Sequence, residues 1–83
     1  MSHKPHDLAA EFPEDVELLH RLKGKGHFAA LSERYTEVNH AITRIEAELD
    51  AASDDRLEEL KKERLSLLDR IAEVLREARH AQV

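Results

Sequence analysis

Six histidines in a chain of 83 residues are the side chains with the widest chemical reach in this sequence. A metal centre needs three or four ligands brought together with set geometry. His3 and His6 stand three apart near the start, His20 closes one helical run and His27 opens the next, and His40 and His80 fall on outward positions of long helices. The single pair with helical spacing therefore sits in an N-terminal arm. A copper-type amino-terminal site would need His3 as third residue with Met1 retained, and Met before Ser is normally removed. The histidines read as solvated surface groups, with no metal site and no cofactor.

Acidic pairs are frequent, but all of them fall on exposed helix faces. General acid–base chemistry needs a pocket that shifts pKa values and excludes water, and a small helical protein of this kind offers none. Lys23-Gly24-Lys25-Gly26 lacks the spacing of a phosphate-binding loop. No catalytic or cofactor-binding residue is assigned, and the expectation is that the protein is not an enzyme and takes no small-molecule substrate.

Charge narrows the partners. The formal net charge is −5, which opposes non-specific attraction to nucleic acid or an anionic membrane. Lys61, Lys62 and Arg64 are the one basic cluster on the long helices, and Glu58, Glu59 and Glu63 interleave with it. Over residues 54–80 eight acids face seven bases, so a solvated, near-neutral face is expected. A small nucleic-acid-associated regulator is the alternative function. Its binding would fall steeply with salt and depend on those three side chains.

The elements come from composition and period. Two glycines, two prolines, three aromatics and 37% charged residues describe long helices. Residues 1–11 read as a flexible arm, since Pro5 opposes early helix. Phe12-Pro13-Glu14-Asp15 reads as a helix start, with proline at the first position and acids in the first turn. A short helix over 13–23 should present Phe12, Val16, Leu19 and Leu22, and end at Gly24 in the left-handed conformation. Over 27–52, Phe28, Leu31, Tyr35, Val38, Ile42, Ile45 and Leu49 recur at spacings of 3 and 4, the seam of a coiled coil. Ser53 caps the next helix, 54–79, whose seam is Leu57, Leu60, Arg64, Leu67, Ile71, Val74 and Ala78.

Two such helices joined by a few residues must fold back on one another. The predicted fold is all-α: one domain, 1–83, built on a long, coiled-coil-like antiparallel helical hairpin preceded by a short N-terminal helix. In the expected register Leu49 meets Leu57, Glu46 meets Lys61 and Glu48 meets Arg56. Arg64, placed among apolar neighbours, reads as a register device. Its stem would pack on Ile42 while its guanidinium reaches Glu46 or Asn39.

Several segments resemble the YdcH-like family, small bacterial helical hairpins of unknown function. They are Ser2-His3-Lys4-Pro5-His6-Asp7-Leu8, Glu11-Phe12-Pro13-Glu14, Val38-Asn39-His40-Ala41-Ile42-Thr43-Arg44-Ile45-Glu46, and Ser53-Asp54-Asp55-Arg56-Leu57-Glu58-Glu59-Leu60-Lys61-Lys62. The family brings no catalytic or binding residues with it. Gly24 and Gly26 make the first loop richer in glycine than the family pattern.

A second apolar row, Leu65, Leu68, Ala72 and Leu75, runs beside the seam of the last helix and marks the candidate interaction surface. Either the short first helix or a second copy of the chain must cover it. The functional expectation is a protein that acts by self-association, as a dimer, or by binding an unidentified protein partner. No secretory signal or apolar span occurs, and cysteine is absent, so a cytoplasmic location is expected.

Overall fold

A computed structural model describes residues 8–81. Within it, helix α1 covers Leu8–Glu11, a 3-10 turn covers Pro13–Asp15, α2 covers Val16–Leu22, α3 covers Gly26–Glu46 and α4 covers Asp54–Ala81. No strand occurs among the described residues. Helices α3 and α4 form the expected antiparallel hairpin, and the short helices pack at its open end.

Phe28, Leu31, Tyr35, Val38 and Ile42 of α3 are buried against Leu60, Leu67 and Ile71 of α4. At about 1.5–3 kcal/mol for each fully buried large side chain, this seam is the main cohesive force of the hairpin. Polar contacts set its register. Lys61 meets Glu46 at 3.2 Å, and Arg64 donates from Nη1 to Asn39 Oδ1 at 3.1 Å. Arg34 grips Glu63 from Nε at 2.6 Å and from Nη2 at 2.9 Å. Arg56 does not pair with Glu48; its contact is Glu59, at 3.7 Å.

Helix α3 stops at Glu46, six residues short of the 52 expected. Glu48 adopts φ 62. Its N–H donates to Ile45 O at 3.0 Å, and the Leu49 N–H donates to Arg44 O at 2.9 Å, the paired bonds of a Schellman C-cap. Arg44 then clamps Asp50 through Nε at 2.7 Å and Nη2 at 3.1 Å. Leu49 consequently lies in the loop, 65% exposed, rather than opposite Leu57. Ser53 behaves as predicted: its Oγ accepts from the Arg56 N–H at 3.1 Å, satisfying a free donor in the first turn of α4.

The N-terminal segment keeps Phe12, Leu19 and Leu22 of the expected face against the core and departs from it at Val16. Leu18 is buried while Val16 is 38% exposed. Phe12 sits at a backbone kink, φ −128 and ψ 65, and the 3-10 turn follows it. A 3.6-residue period started at Phe12 therefore does not carry across. The inward face is Phe12, Asp15, Leu18, Leu19 and Leu22. Residues 8–11, expected within a flexible arm, form α1, from which Leu8 packs on the core. The chain leaves α2 through a type II turn, with Lys23 at φ −59 and ψ 129, Gly24 at φ 78, and Lys25 N–H donating to Leu22 O at 3.0 Å. Gly24 thus has the left-handed conformation expected of it, as the third residue of that turn.

The two long helices differ in length. At 1.5 Å per residue, the 28 residues of α4 run to about 42 Å and the 21 of α3 to about 31 Å. With Lys61 level with Glu46, Ala81 falls opposite Gly26, so the surplus length of α4 lies at the turn end, and residues 8–22 pack at the other end, where Asp15 meets Arg79.

Candidate functional site

The second apolar row on α4 is divided by the fold. Leu75, at its C-terminal end, is fully buried, at 0% exposure. Leu68 and Ala72 are half-buried. Leu65, at the other end, is 62% exposed. The sequence offered the first helix or a second copy as cover, and the chain's own N-terminal segment covers the Leu75 end. One reason Leu75 joins the core is geometric. A straight α-helix drifts by about 20° per heptad relative to a strict seven-residue repeat. The seam of α4 accordingly leaves the Val74 position and passes through Leu75, the side from which residues 8–22 approach. Val74 and Ala78 are left half-buried.

A contact that the sequence did not single out holds this cover in place. Asp15 is buried, at 9% exposure, and its Oδ1 lies 3.5 Å from Arg79 Nη1 at the end of α4. The helix-start motif had marked Asp15 only as a favourable charge in a first turn. Its partner lies 64 positions away, beyond what local spacing can reveal.

What remains open on α4 is a stripe. Glu58, Lys62, Leu65, Asp69, Ala72 and Arg76 follow at spacings of 4, 3, 4, 3 and 4, so they share one face. All are exposed except Ala72, which is half-buried. Glu58, Lys62 and Asp69 take part in no ion pair among the described residues, and Arg76 has only a loose 3.8 Å contact with Glu73.

The other chemical candidates lie apart from one another. His20 on α2, His27 and His40 thirteen residues apart on α3, and His80 on α4 are all exposed, and His3 and His6 lie outside the described residues. Among the described residues no group of three or more His, Asp or Glu could hold a metal ion. Lys61 and Arg64 are engaged with Glu46 and Asn39, while Lys62 points away on the exposed stripe. A shallow depression of about 210 Å³, lined by Lys23, Gly24, Ala29, Ser32 and Glu33, lies beside the type II turn. Two carboxylates elsewhere are held below their ordinary pKa. Glu63 is lowered chiefly by its hydrogen bonds from Arg34, and Asp50 chiefly by those from Arg44. Glu63 thereby ties α4 to α3, and Asp50 ties the inter-helix loop to the end of α3. No described helix is long and apolar enough to cross a membrane.

Neither a curated protein nor a solved structure matches the chain. A family of proteins of unknown function matches residues 28–75, which run from the first buried residue of α3 through the turn to Leu75. The segment bearing α1 and α2 lies before that span. Because the match takes in more than half of the 83 residues, the chain belongs to DUF465, the YdcH-like family of small proteins of unknown function.

Proposed function

We propose that this protein is not an enzyme and acts as a rigid helical hairpin that meets another protein surface through the open face of α4, with a second copy of the chain as the first candidate. One observation carries the reading: Leu65 lies 62% exposed in the middle of a stripe that no described part of the chain covers. The hairpin around it is pinned by a continuous core and cross-helix ion pairs. Such a surface is presented without rearrangement, which lowers the entropy cost of association.

A dilution series followed by two-dimensional amide NMR tests this. The expected result is concentration-dependent shifts confined to amides around residues 58–76, with the 47–53 loop unmoved. Spectra identical at high and low micromolar concentration would count against self-association. Shifts centred on the loop instead would count against the α4 face.

A further inference from the structure

We infer that the open stripe of α4 is self-complementary in the antiparallel sense, so that a second copy pairs α4 against α4 about a two-fold axis near residues 65–69. This rests on the proposed function and adds the orientation and register of the partner. The stripe reads Glu58, Lys62, Leu65, Asp69, Ala72, Arg76. Turned end for end about residue 67, it sets Glu58 against the partner's Arg76, and the partner's Glu58 against Arg76. Lys62 falls within one helical turn of the partner's Asp69. In the same register Leu65 stands level with the partner's Asp69 and Lys62 level with the partner's Ala72, so the middle holds Leu65, Ala72 and the half-buried Leu68 beside the Lys62–Asp69 pairs. A parallel pairing in register would instead oppose each charge to its own copy, Glu58 to Glu58 and Lys62 to Lys62, which is unfavourable. Opposition of like charges is a common device for rejecting a wrong orientation.

Shape points the same way. Residues 8–22 thicken the molecule over the C-terminal third of α4, where they cover Leu75 and bring Asp15 to Arg79. The N-terminal two thirds of α4 carry no such layer. An antiparallel pair lays each thick end beside the partner's thin end, whereas a parallel pair would set the two N-terminal segments against each other. An isologous contact of this kind closes on itself and gives a dimer rather than a fibre.

The absence of native cysteine makes the geometry directly measurable in the full chain. Glu58→Cys and Arg76→Cys are surface substitutions, and unchanged circular dichroism will confirm that each variant folds. In the antiparallel pair a position-58 thiol lies roughly 27 Å along the axis from its own copy (18 residues at 1.5 Å each), far beyond disulfide reach. It lies directly opposite position 76. Mild oxidation of an equimolar mixture, with one variant isotope-labelled, should give a covalent mixed dimer by mass spectrometry, with no covalent dimer from either variant alone. Self-linking of Glu58→Cys would overturn the orientation. A mixture that sediments as a dimer yet forms no disulfide would overturn the register while leaving self-association standing. A mixture that sediments as a monomer would sink the pairing and the self-association reading together.

Discussion

Glu48 is the residue at which the backbone works against its own side chain. A left-handed conformation costs a non-glycine residue roughly 1–2 kcal/mol, and Glu48 holds φ 62 to complete the C-cap of α3. Glycine would remove that cost but add about 0.4–1 kcal/mol of unfolded-state entropy. Glu48→Gly is therefore expected to stabilise the protein by about 0.5–1 kcal/mol in urea titration, and Glu48→Val to destabilise it. A destabilised glycine variant would mean that the loop does not need the left-handed residue. Leu75 and Leu65 make a second contrast. Both belong to one row in the sequence, yet one is sealed and the other open. Leu75→Asp places a carboxylate in a sealed apolar site, costing several kcal/mol, enough to unfold a domain of this size. Leu65→Asp should leave the melting temperature of dilute protein within a few degrees of the parent. Comparable losses in the two variants would contradict the division of the row.

Elements differ in how they are secured, and in how visible that was beforehand. The α3 and α4 seams were legible because a period of 3 and 4 sustained over 20 residues has few other readings. Arg64 reached Asn39 and Lys61 reached Glu46 as the register required. Legibility failed where the period changed. The 3-10 turn after Phe12 put Leu18 in the place expected for Val16, the drift of α4 brought in Leu75, and the non-glycine cap at Glu48 gave no warning that α3 would end at Glu46. The candidate surface was legible at Leu65 and not at Leu75, because cover by a distant segment leaves no local trace. That cover depends on Asp15 and Arg79. Arg79→Ala would leave Asp15 buried without its cation and should cost about 1–2 kcal/mol, below the loss for a sealed ion pair because Arg79 is half-exposed. Faster amide exchange in Val16–Leu22 than in Gly26–Glu46 is the expected signature, and equal acceleration in both would argue that the segment is not a separately stabilised unit. The ion pairs of the hairpin add a dependence on acid. Glu63 titrates below its ordinary 4.5 and Asp50 below its ordinary 3.8. Each contribution is therefore complete above the ordinary value and disappears as pH falls through the lowered folded value. Stability set by these groups should be flat from pH 7 to about 5 and decline below 4.5. Glu63→Gln should shallow that decline, and an unchanged acid profile in this variant would show that the Arg34 contact contributes nothing in solution.

At the scale of the molecule, a chain of 83 residues has a modest core, and among the described residues the exposed large apolar side chains are Val16, Leu49 and Leu65. Leu65 is the most informative of them, since it sits in the middle of a charged stripe whose two ends, Glu58 and Arg76, carry opposite signs. Leu49 is as exposed, but it stands alone in a loop, and a single exposed leucine is ordinary. The N-terminal segment closes one end of the hairpin, and the proposed self-association through the remaining face of α4 would give a closed pair rather than an open chain. Sedimentation equilibrium on the full-length protein and on Leu65→Asp, both at high micromolar concentration, tests this most directly. The parent is expected to show twice the chain mass of 9.5 kDa and the variant the chain mass alone, with the same circular dichroism. A parent that stays at the chain mass, or a variant that remains a dimer, would contradict it.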